Sequence, residues 1–157
     1  MNVAVIGPGS DVEEEELRLA YEVGRLAALE GWVVITGGLG GVMEAASRGA
    51  AETGGTVVGL LPGPDARDAG QGVMIPIPTG LGELRDGLVV RAADGVICVG
   101  GSWGTLSEVA LAMRMGKPVI QLRGWSIADR SGQAIGGVIE ADNPAEAVEL
   151  LKRPPAL

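Results

Sequence analysis

Gly95-Val96-Ile97-Cys98-Val99-Gly100-Gly101-Ser102-Trp103-Gly104-Thr105-Leu106-Ser107-Glu108 reads as a buried strand, a glycine turn and the opening of a helix. The apolar run is short and β-branched, as in a strand covered on both faces. The helical pattern continues through Val109-Ala110-Leu111-Ala112-Met113. A turn of this kind aims backbone N–H groups outward, and a helix N-terminus carries roughly half a positive charge. The stretch is therefore an expected anion site. Thr105 adds a hydroxyl, and Glu108 stands one turn into the helix, where its carboxyl can face the bound group.

The same grammar recurs outward from that stretch. Val3-Ala4-Val5-Ile6 is an expected strand ended by Gly7-Pro8-Gly9 and Ser10. Asp11 then has the position of an N-cap, with Glu14 completing a capping box, and the helical spacing runs to Gly31. Trp32–Thr36 is a second strand, and Gly37-Gly38-Leu39-Gly40-Gly41 leads into a helix from Val42 to about Glu52. A strand over Thr56–Leu61, a loop over Pro62–Gly72, a strand over Val73–Ile77 and a helix over Leu81–Ala93 follow. Beyond the opening stretch come a strand at Pro118–Leu122, a turn at Ser131–Gly137 and a short strand at Val138-Ile139. The last helix is Pro144–Leu151, capped by Asp142 or Asn143 and ended by Pro154-Pro155.

Strands that alternate with helices and lack polar alternation imply an α/β fold. The expected architecture is a Rossmann-like open parallel sheet with helices on both faces, in one domain over residues 1–157. Such sheets take ligands beyond the carboxyl ends of their strands. The glycine loops at 7–10, 37–41 and 100–104 all fall at those ends and are expected to share one crevice.

Composition removes several function classes. The net charge of −8 opposes binding to nucleic acid or to an anionic membrane surface. The absence of histidine excludes a Ser–His triad and a His-ligated zinc site. The single Cys98 leaves no disulfide framework and no thiolate metal set. No resident cofactor or metal is expected. With neither a signal peptide nor a membrane span in evidence, the expected compartment is the cytoplasm. Nicotinamide binding is disfavoured, because Ser10-Asp11-Val12 supplies no third glycine and Thr36-Gly37 no acid for a ribose. A P-loop ATPase is disfavoured because the turn at 100–105 lacks the Gly-Lys-Ser/Thr element.

Several residues allow two readings. The glycines either cradle a phosphate or simply permit tight turns. Glu108 either complements the helix dipole or acts on a ligand. Arg85 is either an ordinary surface arginine or an ion-pair partner and phosphate clamp. Trp103 is either a core anchor or a platform for a planar base.

Gly37-Gly38-Leu39-Gly40-Gly41-Val42-Met43-Glu44-Ala45-Ala46 resembles the first signature of the LOG family, once labelled "lysine decarboxylase-like". Gly100–Glu108 is similar to its second signature, Pro-Gly-Gly-x-Gly-Thr-x-x-Glu, and Arg85 stands where that family has the arginine of an Arg-Lys pair. The resemblance runs from about Val3 to Leu122. It implies a nucleotide-binding fold, usually dimeric, that hydrolyses the N-glycosidic bond of cytokinin nucleoside 5′-monophosphates to free base and ribose 5-phosphate. On that reading Arg85 and Glu108 are the catalytic pair. Gly101, Ser102, Gly104 and Thr105 bind the 5′-phosphate, Gly38, Gly40 and Gly41 border the crevice, and Gly7, Gly9 and Ser10 contact the nucleoside. The decarboxylase label finds no support, since Lys117 and Lys152 are the only lysines.

The chain also departs from that pattern. Gly100 replaces the proline, Ser102 replaces a glycine, and Asp86 stands where the family has lysine. These departures resemble a divergent branch that includes a molybdenum-cofactor carrier protein. That likeness implies a non-catalytic alternative, in which the loop holds the phosphate of a pterin. The expected partner is thus a nucleotide or a phosphorylated pterin, with a homodimer or higher homo-oligomer as the assembly. The apolar face of Val109–Met115 either packs between subunits through Met113 and Met115 or covers the sheet.

Overall fold

The apolar runs pair into one seven-stranded sheet in the computed structural model, which describes residues 1–153. In chain order the elements are β1 (Asn2–Ile6), α1 (Glu14–Leu29), β2 (Val33–Thr36), α2 (Val42–Glu52), β3 (Val57–Leu61) and β4 (Ile75–Pro78). They continue as α3 (Asp86–Ala92), β5 (Gly95–Val99), α4 (Trp103–Arg114), β6 (Val119–Leu122), β7 (Val138–Glu140) and α5 (Pro144–Lys152). The strand order is β4-β3-β2-β1-β5-β6-β7, and every neighbouring pair is parallel. The sheet order reverses between β1 and β5, so their carboxyl ends open the crevice in which such folds bind ligands.

Burial explains the two-sided core. Val3 and Val5 of β1 pack with α1, α2 and α5, whereas Ala4 and Ile6 pack with α3 and α4 on the opposite face. Alternate side chains of one strand thus feed two apolar layers. Met113 and Met115 are partly buried against the second layer, so they cover the chain's own core. The apolar side chains left in the open are others, with Leu84 the most exposed among them. The edge strand β4 carries Pro76 and Pro78, which lack ladder donors and suit only an edge.

Local readings needed some correction. Asp11 does not cap α1. It sits at φ +53°, and Glu13 is the N-cap residue, its N–H donating to Glu16 Oε2 at 3.3 Å. The tight Gly7–Asp11 turn moves the helix start two residues along. The expected helix 81–93 begins as a 3-10 turn, Gly82–Arg85, and becomes α-helical only at Asp86. Gly80 and Gly82, both at positive φ, hold the start open. Asn143, and not Asp142, caps α5, its side chain accepting from Glu146 N–H at 3.0 Å. The Pro154-Pro155 stop lies outside the described residues.

Helices α1 and α2 cross where side chains vanish. A Cβ on Gly24 would collide with the Ala46 carbonyl oxygen, and one on Gly49 with the Tyr21 carbonyl oxygen. Backbone cannot yield as a flexible side chain can, so overpacking here forces the helices apart. Gly24→Ala is expected to cost about 2–3 kcal/mol and to lower Tm by roughly 5–10 °C. A thermal melt at neutral pH reads this directly, and an unchanged Tm would show that the crossing tolerates separation.

Candidate functional site

Three loops meet at the β1/β5 crevice. Gly7–Gly9 follows β1, Gly37–Gly41 follows β2, and Gly100–Ser102 follows β5. The first two are tied together by Val42 N–H donating to the Pro8 carbonyl at 3.0 Å. Gly41 has φ +63°, and a Cβ there would also collide with Pro8, so only glycine serves at this junction. A Cβ on Gly7 would meet the carbonyl of Val99 and lie 2.6 Å from Val42 Cγ1. The loops are therefore in van der Waals contact.

They enclose a cleft of about 150 Å³ lined by Gly7, Gly9, Met43, Arg85, Asp86, Ser102, Gly104, Thr105 and Glu108. Ser102 is the N-cap of α4. Its Oγ accepts from Thr105 N–H at 3.2 Å and pairs with Thr105 Oγ1 at 2.9 Å. Helix geometry leaves the N–H groups of Trp103 and Gly104 without intrahelical acceptors. Those donors and the positive helix end form the anion-attracting wall.

Arg85 comes from the turn before α3 and is buried at 7% exposure, an unusual state for an arginine. Its Nη1 pairs with Asp86 Oδ1 at 3.0 Å, while its buried Nε–H has no hydrogen-bond partner among the described residues. A buried unmet donor on a cation costs free energy, which a bound anion would recover. Gly37 makes room for this side chain, since a Cβ there would collide with the guanidinium.

Glu108 faces the same cleft at 7% exposure. Burial chiefly, and the neighbouring Asp86 carboxylate second, push its acid up to about 8, against the pull of Arg85. Asp86 is itself pushed upward by burial, opposed by Arg85. The cleft thus holds one guanidinium, one carboxylate paired to it, and one carboxyl group whose acid is held well above the usual carboxylate range. Protonated, Glu108 donates a hydrogen bond and carries no charge.

The structure brings together Arg85, Glu108, Gly7, Gly9, Ser102, Gly104 and Thr105. It places the other candidates elsewhere. Ser10 and Gly41 line a groove outside the cleft, between α1 and α2. Gly38 packs under Leu61, with a Cβ there 2.5 Å from Leu61 Cδ2, and Gly40 lies against the Gly9 carbonyl. Gly101 sits beneath the indole of Trp125 on the far side of the loop. Trp103 is no core anchor. It is 78% exposed and meets Trp125 edge to face, with centroids 5.3 Å apart. The sequence set Gly37 in the glycine loop and first signature without showing that it makes room for Arg85, and Asp86 stood out there only as a departure. The signal for Asp86 was its adjacency to Arg85, but its partner had to be seen. Among the described residues no cluster of His, Cys, Asp and Glu suits a metal ion, and no helix is long and apolar enough to cross a membrane.

A seven-stranded parallel sheet with a glycine-lined cleft at its switch point defines a Rossmann-like α/β fold. Residues 1–148 match the SLOG cluster4 family, and the chain belongs to it, in keeping with the LOG signatures in the sequence. An uncharacterised protein of Archaeoglobus fulgidus is 45% identical over 124 residues, covering 78% of this chain and 80% of that protein. Among solved structures, the molybdenum cofactor binding protein of the phototrophic bacterium Rippkaea orientalis is 41% identical. It superposes with a TM-score of 0.86, covering 96% of this chain and 94% of its own. The Moco carrier protein of Chlamydomonas reinhardtii is 38% identical with a TM-score of 0.83, covering 97% of this chain and 95% of its own.

Proposed function

We propose that this protein is a non-catalytic binding protein, a carrier of a phosphorylated pterin of the molybdenum-cofactor class, with that molecule as cargo. The observation that carries the reading is the arrangement around Glu108. Cleavage of a ribosyl–base bond develops positive charge on the ribose, which an ionised carboxylate stabilises. Here burial first, and then the Asp86 carboxylate that pairs with Arg85 at 3.0 Å, push the Glu108 acid up to about 8 and favour its neutral form. A neutral acid supplies no counter-charge to an oxocarbenium ion but is a good donor to a phosphate oxygen. The similarity to molybdenum cofactor binding and carrier proteins along nearly the whole chain supports the same conclusion. The reading extends to a cytoplasmic protein and to a homo-oligomer, the exposed Leu84, Leu88 and Ile77 supplying apolar surface for self-association.

Hydrolysis of nucleoside 5′-monophosphates is the second reading, favoured by the meeting of Arg85 and Glu108 in one cleft. One experiment separates the two. The protein is incubated with AMP and isoprenylated AMP, beside Glu108→Gln, and free base is followed by chromatography. In parallel, 6-hydroxymethylpterin phosphate is titrated in a thermal-shift assay. The carrier reading expects no base release and a Tm that rises with pterin phosphate concentration. Base release that disappears in Glu108→Gln would instead establish the hydrolase.

A further inference from the structure

Among the described residues that line the cleft, Arg85 is the one cation, and two carboxyl groups, Asp86 and Glu108, line it beside Arg85. The guanidinium and Asp86 act as a unit. Their side chains are 8% and 20% exposed, and Nη1 lies 3.0 Å from Asp86 Oδ1. Gly37 crowds the same nitrogen from another side, since a Cβ there would collide with Nη1 and lie 2.6 Å from Met43 Sδ. These walls leave Arg85 little room to swing away from its carboxylate. An anion that takes the Nε–H, a buried donor without a partner among the described residues, therefore shares the guanidinium with Asp86.

Asp86 also has an ordinary explanation. It stands in the first turn of α3, where a carboxylate complements the helix dipole. A dipole role, however, does not require burial against the cation of a cleft. What the position does is set a fixed negative charge where a phosphoryl oxygen seeks the same donors. Like charges crowded into one buried site oppose one another, and the opposition grows with the charge brought in. Binding sites gain specificity from such repulsion as well as from attraction. Size points the same way. The cleft of about 150 Å³ is below the roughly 300 Å³ at which sites for drug-sized ligands begin, and it suits one small group.

We propose that Asp86 is the specificity-determining residue of the cleft: it competes with the incoming anion for Arg85, so that a single phosphoryl group is held reversibly and a more highly charged diphosphate is turned away. This rests on the carrier reading above, in which the cleft takes the phosphate end of the cargo, and adds what limits its grip. A carrier must release what it holds, and a built-in competitor for the one guanidinium of the site weakens that hold without removing the donors that make it.

Calorimetric titrations of the full chain with inorganic phosphate and with pyrophosphate, in magnesium-free buffer at pH 7.5, test this. Wild type is expected to bind pyrophosphate no more tightly than phosphate, although pyrophosphate carries the larger charge. Asp86→Asn should gain about tenfold in affinity for phosphate and several-fold more again for pyrophosphate, the effect of removing one close charge. Asp86→Glu, which keeps the charge, should return the wild-type order. A gain in affinity is not what a damaged fold produces. Unchanged or lower affinity for both anions in Asp86→Asn would make Asp86 a residue that merely orients Arg85 and would overturn the proposal. A wild type that prefers pyrophosphate by tenfold would overturn it as well, whatever the variants do. In both cases phosphate still binds and the carrier reading stands. Wild type and Asp86→Asn that bind neither anion would overturn the carrier reading together with the role of Asp86.

Discussion

Arg85→Ala is expected to weaken binding of phosphorylated ligands by about a hundredfold or more, while Arg85→Lys retains an intermediate affinity. Arg85 is the guanidinium of the cleft, and its buried Nε–H has no hydrogen-bond partner among the described residues. Each hydrogen bond from a charged donor contributes roughly 1.5–3 kcal/mol, so loss of two gives at least two orders of magnitude. Lysine keeps a point charge but not the planar fork. Alanine also leaves Asp86 without its counter-ion beside an anionic ligand, which adds repulsion to lost attraction. Calorimetric titration with 6-hydroxymethylpterin phosphate measures the effect, and near wild-type affinity in Arg85→Ala would remove the phosphate from this cleft.

Glu108→Gln is expected to flatten the dependence of stability on pH. In the folded chain the Glu108 acid is raised to about 8 from an ordinary value of 4.5. Between those values the folded state keeps a proton that the unfolded state has released. Stability contributed by the neutral acid is full below pH 4.5, falls as pH rises through that window, and is gone above pH 8. The whole effect is on the order of 5 kcal/mol, using about 1.4 kcal/mol per unit. Glutamine has nearly the same shape and no proton to lose. At pH 8.5 the variant should therefore melt higher than wild type by roughly 10 °C, and at pH 4 the two should coincide. The groups that face Glu108 are Arg85 and Asp86 from the segment before and into α3, and the Cys98 thiol from β5. Parallel Tm–pH curves for the two proteins would mean that Glu108 is ionised in the fold, and the hydrolase reading would regain its carboxylate.

Glu108 also shows how far sequence reading reaches. Its position near the glycine turn was legible from spacing alone, because a residue one turn into a helix stays close to the helix N-terminus. Its protonation was not. That depends on how much water Met43, Arg85 and Asp86 exclude, and those residues are remote in the chain. The glycines divide in the same way. Gly7 and Gly104 line the cleft as their place in the motifs suggests, whereas Gly38 and Gly101 make room for Leu61 and Trp125. A glycine motif records that space is needed, and only the fold says what fills it.

The sequence by itself determined the α/β parallel sheet, the helix over Val42–Glu52, and the placing of the glycine loops at strand ends. These follow from hydrophobic periodicity and turn chemistry, which act over a few residues. The tertiary structure decided the remainder. It joined Asp86 to Arg85, buried Arg85 with one donor unmet among the described residues, and desolvated Glu108 so that its acid is pushed up. Charge states and cavities are set by desolvation and by contacts between distant segments, and no local pattern encodes those.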